Sequence, residues 1–434
     1  MMKKKKEIVK LVGIFLLFTG VFYLIFDKVI PVKAKKDKEE VIAEETVKEK
    51  DEVETGFLVF EGPKTEMCPI NGAMYTKEQR QFWQERRPLT VMIENHSDAR
   101  PQSGLNTADV VYEAIAEGGI TRLMGVYYCD ASRVGDIRYD VGPVRSARTY
   151  FLDMASEYGD YPLYTHVGGA NCSAPKDENG NIVGSCTSDK RTQAIEQISQ
   201  YGWNNKGTWS DLSQFSLAYK VCRREPDRTG QDRATEHTMY CSTKELWNVA
   251  SERGLTSTTE VNGKSWDSAF TAWKFDSEGS TGNGQVTKAV NLPFWNYDAY
   301  TVSWQYDADK QEYIRYNGGE KQIDFNDNQD IRAKNIVVQL VKEESDVDIH
   351  KHNIYTMTGS GKGVLIQNGK RIDITWTKAK RQSRTIFKDL SGKEVKFVPG
   401  KIWVEILSTN SKIDYEIGDK TETNSGLSNP SQVD

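Results

Sequence analysis

The sequence predicts an α+β protein: a mixed region of strands and helices over residues 57–260, then a mostly antiparallel β region over 261–408. Three observations carry this. Leu89, Val91 and Ile93 alternate with Thr90, Met92 and Glu94, which is the period of a strand. Helical runs in the same half are short and capped: Ser242 with Glu245 makes a capping-box pattern, and the run it opens stops at Gly254. In the second half, apolar runs are separated by tight-turn pairs, of which Asn368-Gly369 is the strongest hairpin signal. The 20 tyrosines and 10 tryptophans among the 434 residues suit a β-rich core.

The chain opens on a lysine-rich head (1–10), followed by a charge-free apolar run from Leu11 to Phe26. Asp27 and Lys28 can reach the far interface, so 11–30 reads as a transmembrane anchor. Lysines ahead of the run keep that end in the cytoplasm, and the bulk of the chain is then extracytoplasmic. A cleaved signal peptide is the rival, given the small-residue pattern at Val32-Lys33-Ala34. No cysteine precedes Cys68, so the expected anchor is a helix and not a lipid. Residues 31–56 are almost all Lys, Glu, Asp, Val and Ala, a charged linker without the apolar content to fold.

Phe57–Glu66 reads as a short strand, and the first globular region starts near Tyr75. Val110–Ala116 and Ile120–Tyr128 flank Glu117-Gly118-Gly119 as a hairpin. Val144, Ala147, Phe151, Met154 and Ala155 follow helical spacing after Gly142-Pro143, and Gly159 ends that run. Tyr161–Val167 is a strand and Lys190–Tyr201 a helix. Further strands are expected over 301–306, 312–316, 335–341, 363–367, 371–376, 385–388 and 394–398, with a last one over 401–407. Residues 409–434 read as a polar, frayed tail.

Export changes how the six cysteines are read, because oxidising compartments permit disulfides. Cys172 and Cys186 flank a polar loop with an Asn179-Gly180-Asn181 turn, so a bond closing it is expected. No cysteine or histidine spacing marks a structural zinc site. Basic residues are scattered among acidic ones in a chain of net charge -5, which excludes a nucleic-acid partner.

Several motifs invite chemistry and fall short of it. Thr358-Gly359-Ser360-Gly361-Lys362-Gly363 departs from a phosphate loop at both ends and reads as a flexible turn. His96, His166 and His237 lie in three separate blocks, and no metal site is assigned to them. Glu94 and Asp98 flank His96 as acid–base candidates, but no catalytic residue is assigned. No serine sits in a nucleophile elbow. Arg223-Arg224, Asp227-Arg228 and Asp232-Arg233 read as solvated or paired charges.

Residues 118–170 are the densest stretch. Strand ends and a predicted helix start bring Arg122, Arg138, Arg145, Arg148 and His166 together. Arg145 and Arg148, three apart in the expected helix, would share a face in its first turns, where the macrodipole favours an anion. Asn95 and His166 would complete the rim. The same layout also fits structural ion pairs.

RPLTVMIENHSDARPQSGL (87–105), ADVVYEAIAEGGITRLMGVY (108–127), VGPVRSARTYFLD (141–153), HVGGA (166–170) and, more weakly, DRATEHTMY (232–240) resemble the N-terminal pattern of the YerB-like family of bacterial envelope proteins. AKNIVVQ (333–339), TGSGKGVLIQNGKRIDITW (358–376) and FVPGKIWVEIL (397–407) resemble its C-terminal pattern. The resemblance implies a three-layer mixed β/α fold for the first domain and a membrane-attached, extracytoplasmic protein. Residues 171–186 look like an insertion relative to the family. A helical anchor would also depart from a family whose best-known member is anchored by lipid.

The resulting expectation is a single-pass membrane protein whose external part binds an anionic or glycan ligand or a partner protein, with no cofactor. The alternative is an envelope enzyme acting on a polyprenyl-phosphate-linked or cell-wall substrate. That alternative follows a looser similarity of the arginine-bearing stretch to LytR–CpsA–Psr phosphotransferases.

Overall fold

The computed structural model describes residues 57–417 and 420–425, apart from positions 173, 180, 182, 260, 283 and 296. The expected cytoplasmic head (1–10), membrane anchor (11–30) and charged linker (31–56) lie outside the described residues. Among those described, no helix is long and apolar enough to cross a membrane. The principal strands are β1 (Leu89–Glu94), β2 (Val110–Glu117), β3 (Ile120–Tyr127), β4 (Leu163–His166), β5 (Asp211–Ser213), β6 (Gln285–Val286), β7 (Ala289–Pro293), β8 (Thr301–Asp307), β9 (Glu312–Asn317), β10 (Asn335–Val341), β11 (Gly359–Gln367), β12 (Lys370–Lys378), β13 (Ile386–Asp389), β14 (Ile402–Ser408), β15 (Lys412–Ile417) and β16 (Lys420–Ser425). The helices are few and short: α1 (Lys77–Gln84), α2 (Thr149–Ala155), α3 (Ala194–Gln200) and α4 (Thr243–Glu252). The fold is mostly β.

One 11-stranded mixed sheet runs β6-β12-β11-β10-β14-β2-β3-β1-β4-β5, with β13 added beside β12. Strand β14 lies between β10 and β2 and is parallel to both. The division expected near residue 260 is therefore not a division of the sheet. All residues of β1 and β10 are buried. Such continuous apolar strands need partners on both edges, because unpaired backbone groups there would be stranded from water. A second sheet, β9-β8-β7-β15-β16 with short flanking strands, meets the first where Trp304 and Trp403 pack edge to face, 5.1 Å between ring centroids. Both tryptophans are fully buried.

Four expectations need correction. Residues 144–148 are extended, and the helix begins only at Thr149 with Arg148 as its N-cap residue. Backbone partners distant in sequence hold the segment open: Val144 N donates to Met239 O, Arg145 N to Met92 O and Ala147 N to Gly168 O. Residues 359–363 are not a turn but the start of β11, where glycine is required by crowding; a Cβ at Gly363 would stand 2.5 Å from Val338 O. Phe57–Thr65 forms no strand, and only Glu66–Met67 pairs, with Met74–Tyr75. The tail is not frayed throughout: β15 and β16 form a hairpin, and β15 buries Ile413 and Tyr415 on its inner face. The alternation of Ile413, Tyr415 and Ile417 with polar neighbours is a strand period that the overall polarity of the tail masked.

Helix α1 is additional to the elements read from the sequence. Its capping box is complete: Gln79 N donates to Thr76 Oγ1 and Thr76 N to Gln79 Oε1, each at 3.2 Å. The six cysteines form three bonds, Cys68–Cys129, Cys172–Cys186 and Cys222–Cys241. The Cys172–Cys186 bond closes the polar loop, with Cα atoms 5.0 Å apart.

Candidate functional site

The antiparallel register of β1 and β3 sets Arg122 opposite Glu94. The hairpin turn after β2 brings Glu117 to the same place, since β2 pairs with β3. The extended segment after Gly142-Pro143 then lays Arg145 and Arg148 alongside. Arg122 lies between two carboxylates, 3.1 Å from Glu117 and 3.7 Å from Glu94. Arg145 pairs with the other Glu94 oxygen, and Arg148 meets Glu117 at 2.5 Å. Three guanidinium groups thus share two carboxylates.

Burial alone would push the Glu94 carboxyl up. His237, Arg122 and Arg145 outweigh it and hold Glu94 at about 2. Glu117 follows the same balance: burial raises it, but Arg122 and Arg148 bring it to about 2. Both acids are charged at neutral pH, and the five groups keep a positive excess. Exposure is uneven. The Arg122 side chain is 1% exposed, Arg148 8% and Arg145 28%.

The remaining residues of the expected site lie elsewhere or face inward. Arg138 pairs with Asp140 at 2.9 Å in a second cluster, where Arg223 and Arg228 also meet Asp140 or Glu225. It shares no ion-pair partner with the other three. Asn95 is buried, donating to Thr121 Oγ1 at 2.7 Å and accepting from Gln102 at 2.8 Å. It forms no rim. His166 is buried as well, with Nε2 against Asp211 at 2.8 Å and Nδ1 against Gly168 O at 2.5 Å. Glu117 and His237 were not among the expected site residues. The signal for Glu117 was present: it ends a strand one turn from Arg122. His237 carried only its residue type.

Residues 73–256 match the family described as "Protein of unknown function (DUF3048) N-terminal domain", and 290–404 match the corresponding C-terminal domain. The chain belongs to the DUF3048 family. The two family regions are those that β2 and β14 join into one sheet. A DUF3048 relative, "Putative lipoprotein YerB" of Bacillus subtilis (strain 168), is 25% identical over 324 residues, covering 74% of this chain and 82% of the relative. The crystal structure of YerB from Bacillus subtilis superposes with a TM-score of 0.58 at 23% identity, over 79% of this chain and 97% of that one. The DUF3048 fold is therefore shared with a solved structure.

Proposed function

We propose that this DUF3048 chain is a membrane-anchored envelope module, exposed outside the cytoplasm, that binds an anionic ligand through Arg145. One observation supports the reading: Arg122, Arg145 and Arg148 surround two ionised carboxylates, leave a positive excess, and expose chiefly Arg145. A phosphate or pyrophosphate group of an envelope glycan or lipid-linked precursor suits that chemistry, because a guanidinium offers it two parallel donors. Arg122 and Arg148 would act from behind as fixed charge. The apolar run at 11–26 and the kinship with a lipoprotein support the location.

Calorimetry on the full chain in detergent, with inorganic pyrophosphate and with a polyprenyl-pyrophosphate mimic, tests the site. Arg145→Lys should weaken binding by roughly 1–3 kcal/mol, the scale of a charged hydrogen bond, and leave the unfolding midpoint unchanged. No binding by the wild type, or equal affinity in both proteins, would leave the arginines as structural ion pairs. Location is tested separately: a reporter active only in the cytoplasm, fused after Gly56, should be silent.

A further inference from the structure

His96 and His237 meet beside the arginine cluster. His96 caps the 3-10 turn Ser97–Ala99, its Nδ1 accepting from the Asp98 backbone N–H at 3.2 Å. His237 ends a second such turn, Thr235–His237, just before the strand Met239–Ser242. The two imidazoles lie nearly parallel, at 15°, with centroids 4.9 Å apart. Asp98 stands on the same side: its Oδ2 is 3.7 Å from His96 Nδ1. One ligand atom from each of His96, Asp98 and His237 lies within 4.8 Å of the other two.

The protein treats these rings differently from its other inward-facing histidines. Both nitrogens of His166 are bonded, to Asp211 and to Gly168 O, and His352 Nδ1 bonds Asp348 at 2.8 Å. His237 is 7% exposed, yet its Nδ1 has no hydrogen-bond partner, and Glu94 Oε2 stands 3.7 Å away. A buried imidazole with an unused nitrogen, stacked on a second imidazole and next to a carboxylate, is not explained by packing alone.

We propose that His96, Asp98 and His237 bind one divalent transition-metal ion of the zinc class. Two imidazole nitrogens and one carboxylate oxygen suit zinc, whereas calcium and magnesium prefer all-oxygen shells. Tetrahedral ligands at about 2.0 Å from the metal stand roughly 3.3 Å from one another, so the three must draw together. They can: Asp98 is 68% exposed and His96 29%, so both can move towards the buried His237. Three protein ligands leave one position open to water or to a bound group. The inference uses none of the arginines, although His237 also faces Glu94 of the arginine cluster.

The test is calorimetry with ZnCl2 on the full-length, untagged chain in detergent after EDTA treatment and dialysis. Co2+ serves as an absorption probe. One ion per chain is expected, with visible Co2+ bands of low coordination number and no binding of Ca2+ or Mg2+. His96→Asn, whose amide oxygen can still cap the turn, and Asp98→Asn, both at positions that reach the surface, should each weaken zinc binding at least tenfold while keeping the wild-type thermal melt. His237→Ala should abolish it; if that protein fails to fold, the two surface variants still decide. Absence of zinc binding at micromolar concentration in the wild type, or unchanged affinity in both surface variants, would overturn the proposal.

Discussion

Glu113 and Glu405 stand opposite each other on the adjacent parallel strands β2 and β14, and neither reaches water. Arg315, from the second sheet, bridges them, 2.7 Å from Glu113 and 3.3 Å from Glu405. Its guanidinium lies 4.5 Å from the centre of the Trp403 ring, and Trp304 Nε1 donates to Glu405 at 2.7 Å. Burial pushes the Glu405 carboxyl well up, and the neighbouring Glu113 adds to this against Arg315. Glu405 therefore keeps its proton where an exposed glutamate has lost it. The triad joins both DUF3048 regions and both sheets.

Arg315→Met should cost about 3–5 kcal/mol of unfolding free energy, because it leaves a buried acid without its cation. Glu405→Gln should be nearly neutral at pH 4, where the folded carboxyl keeps its proton and the amide replaces an uncharged group. A raised folded pKa contributes stability below the unfolded value of 4.5, and that stability is lost as pH rises through the folded pKa. Removing Glu405 should therefore flatten the decline of stability above that pH. Urea titrations of the three proteins across pH 4–8 measure both effects. An Arg315→Met protein as stable as the wild type would remove the triad from the account.

The partners of these residues mark the limit of sequence reading. The hairpin at Glu117-Gly118-Gly119 and the one at Asn368-Gly369 were legible because turn chemistry is local; Asn368 and Gly369 both take positive φ. Strand β10 was legible from its β-branched run. The insertion of β14 between β10 and β2 was not, because three apolar strands can pair in several orders. Residues 144–148 misled because Val144 and Ala147 fit a helical period while their backbone partners lie far away in sequence. The arginines of the site were visible; their pairing with Glu94 and Glu117 depends on strand register, which no local pattern fixes.

Acid should destabilise the protein through the same two carboxylates. Glu94 and Glu117 fall from 4.5 to about 2. A depressed folded pKa contributes stability above the unfolded value, and that stability is lost as pH falls through the folded one. The loss should run from about pH 5 down to about pH 2, on the order of 3 kcal/mol for each acid. Urea midpoints over that range measure it. A Glu117→Gln protein with an unchanged acid slope would contradict the assignment.

The Cys172–Cys186 bond closes a loop with a sequence separation of 14. On the chain-entropy view it restricts the unfolded chain, and its loss should cost about 3 kcal/mol. The double substitution Cys172→Ser/Cys186→Ser should lower the urea midpoint accordingly and, by loosening the loop, speed trypsin cleavage after Lys176, which is already exposed. Mass spectrometry of the unreduced chain recovering both thiols free would end the idea.

Arg122 and Arg145 touch the same carboxylate, yet their substitution should have different effects. Arg122 is buried between Glu94 and Glu117, so Arg122→Met removes a cation from one buried acid, Glu94, and from one that is 31% exposed, Glu117. A cost of about 3–5 kcal/mol is expected, the scale of breaking a buried ion pair from one side. Arg145→Met should cost about 1 kcal/mol, because Arg122 still faces Glu94 and the Arg145 side chain is already 28% exposed. Adding Glu117→Gln to Arg122→Met should recover part of the loss, since the second change removes the acid that the first left unpaired. With Arg122 in place, Glu117→Gln alone should be destabilising, because it leaves Arg122 and Arg148 without a shared acid. The four proteins form a double-mutant cycle, and its coupling energy measures the Arg122–Glu117 contact. A coupling near zero would assign the burial of Arg122 to packing and leave Arg148 as the cation that holds Glu117 ionised.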